Sequence, residues 1–155
     1  MSCTLLERRQ IEAELVRALL PRLEAELGLE RACSVIASAI ADEAERQGRA
    51  LRAELPPGIQ GIAALWERLR AGGALEVEVR ESTPAQLRLK VTRCRYAEMY
   101  REMGIEELGC VLSCSRDEPL VRGFDDRITL RRSHTLLEGS EACELEYGFL
   151  NTEGT

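Results

Sequence analysis

The sequence has no CxxC pair and no repeated short cysteine spacing, so zinc-finger arithmetic does not apply. HExxH, GxSxG, a Gly-rich phosphate loop and the dinucleotide-binding glycine fingerprint are missing as well, and nothing marks a nucleotide or nicotinamide enzyme. There is one histidine and no long apolar run. The longest nearly uncharged stretch, Ala32 to Ala41, is about half the ~20 residues that cross a bilayer. Glu7, Arg8 and Arg9 stand where a signal peptide would carry its apolar segment. Basic residues are in deficit, 21 against 27 acidic, and the net charge of −6 argues against a clustered basic face for nucleic acid. The expectation is a cytoplasmic protein with no membrane and no nucleic-acid partner.

What is present fits one folded unit. The 155 residues, 45% apolar and 31% charged, suit a single α+β domain over 1–155, with a helical part at 1–73 and a sheet with inserted helices at 74–150. Ile11, Leu15, Leu19, Leu23 and Leu27 recur every four residues among Glu and Arg, which predicts an amphipathic helix that Pro21 kinks or splits and Gly28 stops. Its leucine stripe offers either an oligomer interface or a cover for the sheet. A second helix is predicted over 29–55, up to Pro56-Pro57-Gly58, and a short third carries Ile62, Leu65, Trp66 and Leu69.

At Leu75 the period changes to two. Leu75, Val77 and Val79, then Leu87, Leu89 and Val91, alternate with charged residues around the turn residues Ser82 to Ala85, which predicts an antiparallel hairpin. Residues 94–103 and 105–115 return to a helical pattern, and a loop with Pro119, Gly123 and Phe124 is expected next. A second hairpin follows, about 126–135 and 141–150. The expected fold is thus N-terminal helices packed on an antiparallel sheet of two hairpins, with a helical pair between them. If Glu138-Gly139 forms a two-residue turn, Ile128 pairs with Phe149, Leu130 with Tyr147, Arg132 with Leu145 and His134 with Cys143.

Six cysteines, at 3, 33, 94, 110, 114 and 143, are many for a reducing compartment, where they serve as core thiols, metal ligands or nucleophiles. Cys94 closes a strand and opens a helix. It is either a thiol activated by helix N–H groups or a small buried corner residue. Cys110 and Cys114 share a helical face, with Asp117 one turn on, a pattern that suits core packing and makes Cys114 reactive only beside a partner such as His134. Arg132, on an otherwise apolar face, must meet an anion: a ligand carboxylate or an internal acid.

The stretch Val91 to Tyr147 resembles the L-2-amino-thiazoline-4-carboxylic acid hydrolase family. The matching residues are Thr92 to Glu98, Gly104, Glu107 to Gly109, Cys114 to Asp117, Gly123-Phe124, Arg132 to Leu136 and Gly139 to Cys143. The chain departs from the pattern at Arg95, where proline is common, and at Glu144-Leu145. The resemblance implies cysteine-dependent opening of a cyclic amidine-type C–N or C–S bond, with no cofactor and a small carboxylated substrate. It implies attack by Cys114 or Cys94, proton handling by Asp117 and His134 near Cys143, and substrate binding by Arg132, Arg93 and Tyr96. The family is also similar to vinyl-reductase-type sensor domains. That likeness implies an alternative, a non-catalytic small-molecule-binding module with a structural zinc on Cys94, Cys114, Cys143 and His134 or Glu138.

Overall fold

A computed structural model describes residues 2–150. Helix α1 (Leu5–Leu27) begins at Thr4, whose hydroxyl accepts the Glu7 N–H while Glu7 returns a carboxylate oxygen to the Thr4 N–H, a reciprocal cap. The helix runs through Pro21 without splitting. Gly28, at φ 79°, makes the corner into α2 (Leu29–Leu51), and α3 spans Ile59–Ala71. The strands are β1 (Leu75–Ser82), β2 (Gln86–Cys94), β3 (Ile128–His134) and β4 (Cys143–Phe149), in the antiparallel order β1-β2-β4-β3. The α+β arrangement of two hairpins with helices inserted between them is the one the periodicity implies.

Two local expectations are overturned. The segment after Asp117 is a helix, α6 (Asp117–Phe124), because Pro119 sits in its first turn, where a missing N–H costs nothing. The insertion is therefore α4 (Arg95–Glu102), α5 (Glu106–Leu112), a 3-10 turn (Cys114–Arg116) and α6, rather than a pair. In the last ribbon the pairs Ile128–Phe149, Leu130–Tyr147 and Arg132–Leu145 are formed, but Ser133 is an extra residue and the register slips. His134 then stands opposite Glu144 instead of Cys143 and is exposed, and residues 135–142 make the connection instead of a two-residue turn.

Of the two roles open to the leucine stripe, a cover for the sheet is excluded. The face of α1 that packs inward carries Leu6, Ala13, Val16, Leu20 and Leu23, whereas Ile11, Leu15, Leu19 and Leu27 are exposed and cover no sheet. Helix α1 is apolar on two sides, and the more regular side is the outer one.

One core layer sits between the sheet and α3 and α6, with Ile59, Ile62, Trp66, Leu87, Leu89, Val91, Phe124, Leu145 and Tyr147. Inside it Trp66 Nε1 donates to the Tyr147 hydroxyl at 3.0 Å with the rings edge to face, so neither polar atom is stranded. A second layer joins the helices through Ala13, Ile36, Met99, Tyr100, Leu108 and Leu112. Among the described residues no helix is long and apolar enough to cross a membrane.

Helix α2 crosses α6 at backbone contact distance. A Cβ at Gly48 would lie 2.0 Å from the Leu120 carbonyl oxygen, and one at Gly123 2.1 Å from that of Glu45. Gly123→Ala or Gly48→Ala is expected to cost at least ~3 kcal/mol, since rigid backbone must move. That corresponds to a fall in Tm of roughly 6–12 °C, measured by thermal unfolding, for a chain of this size. Gly148→Ala, with open space around its Cβ, is expected to leave Tm unchanged within about 2 °C.

Candidate functional site

The inner face of the sheet brings together, at one end, residues that are distant in sequence. Cys94 ends β2, Cys143 starts β4 opposite Val91 of β2, and Arg132 of β3 lies beside Leu145. Over this end sits the corner between α5 and α6, which carries Cys114 and Asp117. Arg132 Nη2 joins the two parts, donating to the Cys114 carbonyl at 2.8 Å and to Asp117 Oδ2 at 2.6 Å. The inward guanidinium thus has an internal acid as its anion.

All three thiols are held above their ordinary range, in each case chiefly by burial. Cys94 caps α4, its sulfur accepting the Ala97 N–H at 3.4 Å, and the Ala97 and Tyr96 N–H groups oppose the effect of burial without overcoming it. Cys143 accepts the Leu136 N–H at 3.2 Å and also feels Arg132. Cys114 is pushed up furthest, by burial and then by the Asp117 charge, with only Arg132 pulling it down. Cys143 raises both Cys94 and Cys114, and Asp117 raises all three.

Asp117 is itself raised, to about 6, by burial, against the pull of Arg132, Arg116 and Arg9. Its side chain keeps 40% of its surface open and touches Arg132, so the carboxylate is ionised at neutral pH and takes a proton just below it. That is the range in which a carboxyl exchanges protons readily with a reacting group.

The other expected residues are less central. Tyr96 is half-buried, with burial holding its phenol protonated, and it lies within electrostatic reach of Cys94 and Arg9. Alternation along β2 would set Arg93 on the face of Leu89 and Val91, but the register shifts at Thr92 and Arg93 is exposed, bonded to Glu98 at 2.8 Å and reaching Glu76 at 3.6 Å. It is not at the thiol site. Nor is His134, which the bulge at Ser133 turns outward. Glu138, in the β3–β4 connection, is exposed and accepts the Thr135 hydroxyl at 2.8 Å.

The zinc set is tested directly by these positions. With His134 outside and opposite Glu144, a Cys3His set does not form, and no three Cys, His, Asp or Glu side chains are grouped as metal ligands among the described residues. The residues as placed do not fit zinc.

Sequence reasoning missed a buried arginine pair. Arg9 and Arg116, 8% and 6% exposed, share one carboxylate: Arg9 Nη1 and Arg116 Nη2 lie 2.6 and 3.0 Å from Glu12 Oε2. Arg116 Nε donates to the Leu112 carbonyl, and its Nη1 is buried with no partner among the described residues. The signal was available, since Arg9 falls on the inward Leu6–Ala13–Val16–Leu20 face. A groove of roughly 620 Å³ lies on the far side of the sheet, its lining including Arg80, Arg88, Lys90, Arg131, Glu144 and Glu146. Arg88 stands opposite Glu146 and Lys90 opposite Glu144, but with Arg80, Arg131 and Arg132 also in the lining the basic residues outnumber the acids five to two.

Helices packed on one face of an antiparallel sheet, with a thiol, carboxyl and guanidinium cluster at its end, define the class. Over residues 8–147 the chain matches the family model described as L-2-amino-thiazoline-4-carboxylic acid hydrolase, and it belongs to that family. Among solved structures it is similar to the crystal structure of the phenol-responsive sensory domain of the transcription activator PoxR with phenol. The TM-score is 0.57 at 13% identity, over 94% of this chain and 76% of that one, a likeness of fold alone. No curated protein matches the chain.

The electrostatic coupling is measurable by alkylation. Iodoacetamide mapped by mass spectrometry at pH 8 is expected to label exposed Cys3 quickly and Cys94, Cys114 and Cys143 slowly. Asp117→Asn removes a charge that raises all three buried thiols and is expected to speed their labelling severalfold. Unchanged rates in that variant would show that the carboxylate does not govern them.

Proposed function

We propose that the protein hydrolyses a small carboxylated cyclic amidine of the 2-aminothiazoline-4-carboxylate type at the Cys94–Cys114–Cys143 cluster. The observation that carries this is Asp117, a carboxyl raised to about 6 and set beside buried thiols and an arginine. Family membership supplies the substrate class.

Cys94 is the nucleophile that the geometry favours over Cys114. Its sulfur already accepts a helix N–H, so a developing thiolate there is stabilised, whereas Cys114 is pushed up further and sits next to the Asp117 charge. The sulfur adds to the sp² ring carbon between nitrogen and sulfur as its proton passes to Asp117. The ring C–S bond then breaks and the departing sulfur takes that proton. Water adds to the same carbon and the Cys94 thiol is released, leaving a urea carbonyl. The sum is substrate plus one water giving a carbamoyl-cysteine. Arg132 uses only Nη2 for protein contacts among the described residues, and the rest of its guanidinium is available for the substrate carboxylate.

A second reading has its own observation. All three thiols are protonated at neutral pH, and the fold is shared with a phenol-responsive sensory domain, which together favour a module that binds a small molecule without turning it over. Turnover separates the two. Cys94→Ala is expected to lower kcat for 2-aminothiazoline-4-carboxylate by about 10³-fold or more while leaving substrate binding within a few fold, and Cys3→Ala to change nothing. Absence of turnover in the unmodified protein, with binding retained, would establish the binding module instead.

The pH dependence follows from the sign at Asp117. A group that must accept a proton works only when ionised, so kcat/KM is expected to fall about tenfold per unit below pH ~6 and to lose that limb in Asp117→Asn. A profile flat between pH 5 and 7 would remove Asp117 from proton transfer.

A further inference from the structure

Helix α1 presents to solvent a line of large apolar side chains that none of the described residues covers. Ile11, Leu15 and Leu19 are 61%, 60% and 47% exposed, and the four-residue spacing stacks them on one face. The opposite face of the same helix is packed in the core, so rotation of α1 cannot hide them. Charges close the row at both ends, Arg8 before it and Arg22 and Glu26 after it. All three are exposed, and none has an ion-pair partner among the described residues.

We propose that this face is a homodimer interface, in which α1 packs antiparallel against α1 of a second copy with Leu15 facing the partner's Leu19. The row is complementary to itself, the condition that a twofold interface imposes. In this register facing positions have numbers that sum to 34. Leu15 meets the partner's Leu19, and symmetry repeats the contact. Arg8 meets the partner's Glu26, also twice, so the seam is pinned by opposite charges at two points about 27 Å apart on a rise of 1.5 Å per residue. A register centred on Leu15 instead sets Arg8 against the partner's Arg22, and like charges there oppose it. The order Arg8, Ile11, Leu15, Leu19, Glu26 therefore selects both a second copy and one register.

Sedimentation velocity on the full chain from 1 to 200 μM tests this. The unmodified protein is expected to pass from monomer to dimer with rising concentration, and Leu15→Glu to remain monomeric with an unchanged Tm, since that side chain supports no core. Arg8→Glu and Glu26→Arg are each expected to weaken the dimer about tenfold. Combining them restores charge complementarity and returns the Kd to within about threefold. A protein that is monomeric at every concentration, or a dimer indifferent to Leu15→Glu, overturns the interface. A combined variant no tighter than the single ones overturns the register.

Discussion

The backbone crossing of α2 and α6 is the constraint on which the rest of the molecule hangs. Gly48 and Gly123 let the two helices approach to a separation that a single methyl group would forbid. That approach sets where α6 begins, and its first residue is Asp117. The carboxylate is therefore carried to Arg132 by helix packing more than by its own loop, and the ion pair in turn holds the α5–α6 corner against the end of the β-ribbon. Loss of side-chain volume at two positions far from any thiol is thus a condition for the site to exist.

Burial and charge pull in different directions at that site. The three thiols lie where desolvation outweighs every favourable N–H, so they rest in the neutral form. Asp117 shares the environment but keeps contact with both solvent and a guanidinium, which leaves it ionised at neutral pH and able to take a proton just below it. Neutral thiols beside a carboxyl that readily gains or loses a proton form a cluster in which charge appears only when a substrate arrives. The buried Arg9–Glu12–Arg116 group behind it adds positive potential that helps keep Asp117 from rising further.

Much of the architecture was legible because its signals are local. The switch of period at Leu75 located the first hairpin, and the apolar alternation set the second ribbon's register as far as Arg132. Beyond that point the register expected from a two-residue turn fails, and nothing in the sequence announces that Ser133 is inserted. One unpaired residue was enough to carry His134 from the thiol side to solvent. Pro119 and Gly123 read as loop residues because their usual roles were assigned without the helix that uses them, one in a first turn and one at a crossing. The stripe on α1 was plain, but a helix apolar on two sides does not say which side faces in. The family pattern singles out Cys94, Cys114 and Cys143, whereas Arg9 and Arg116 needed the fold to reveal that two cations share one acid.

The irregular positions of the sheet all fall in its outer pairings, at β1–β2 and β3–β4, while the central β2–β4 pairing is regular. The extra residues Arg80 in β1 and Ser133 in β3 twist the border strands and interrupt their rows of free amide groups, and Glu76, Glu78, Arg80 and Glu81 add charge along β1. A neighbouring molecule approaching either border meets no flat, continuous template to extend. The borders of the sheet are thereby poor templates for strand-by-strand assembly between molecules.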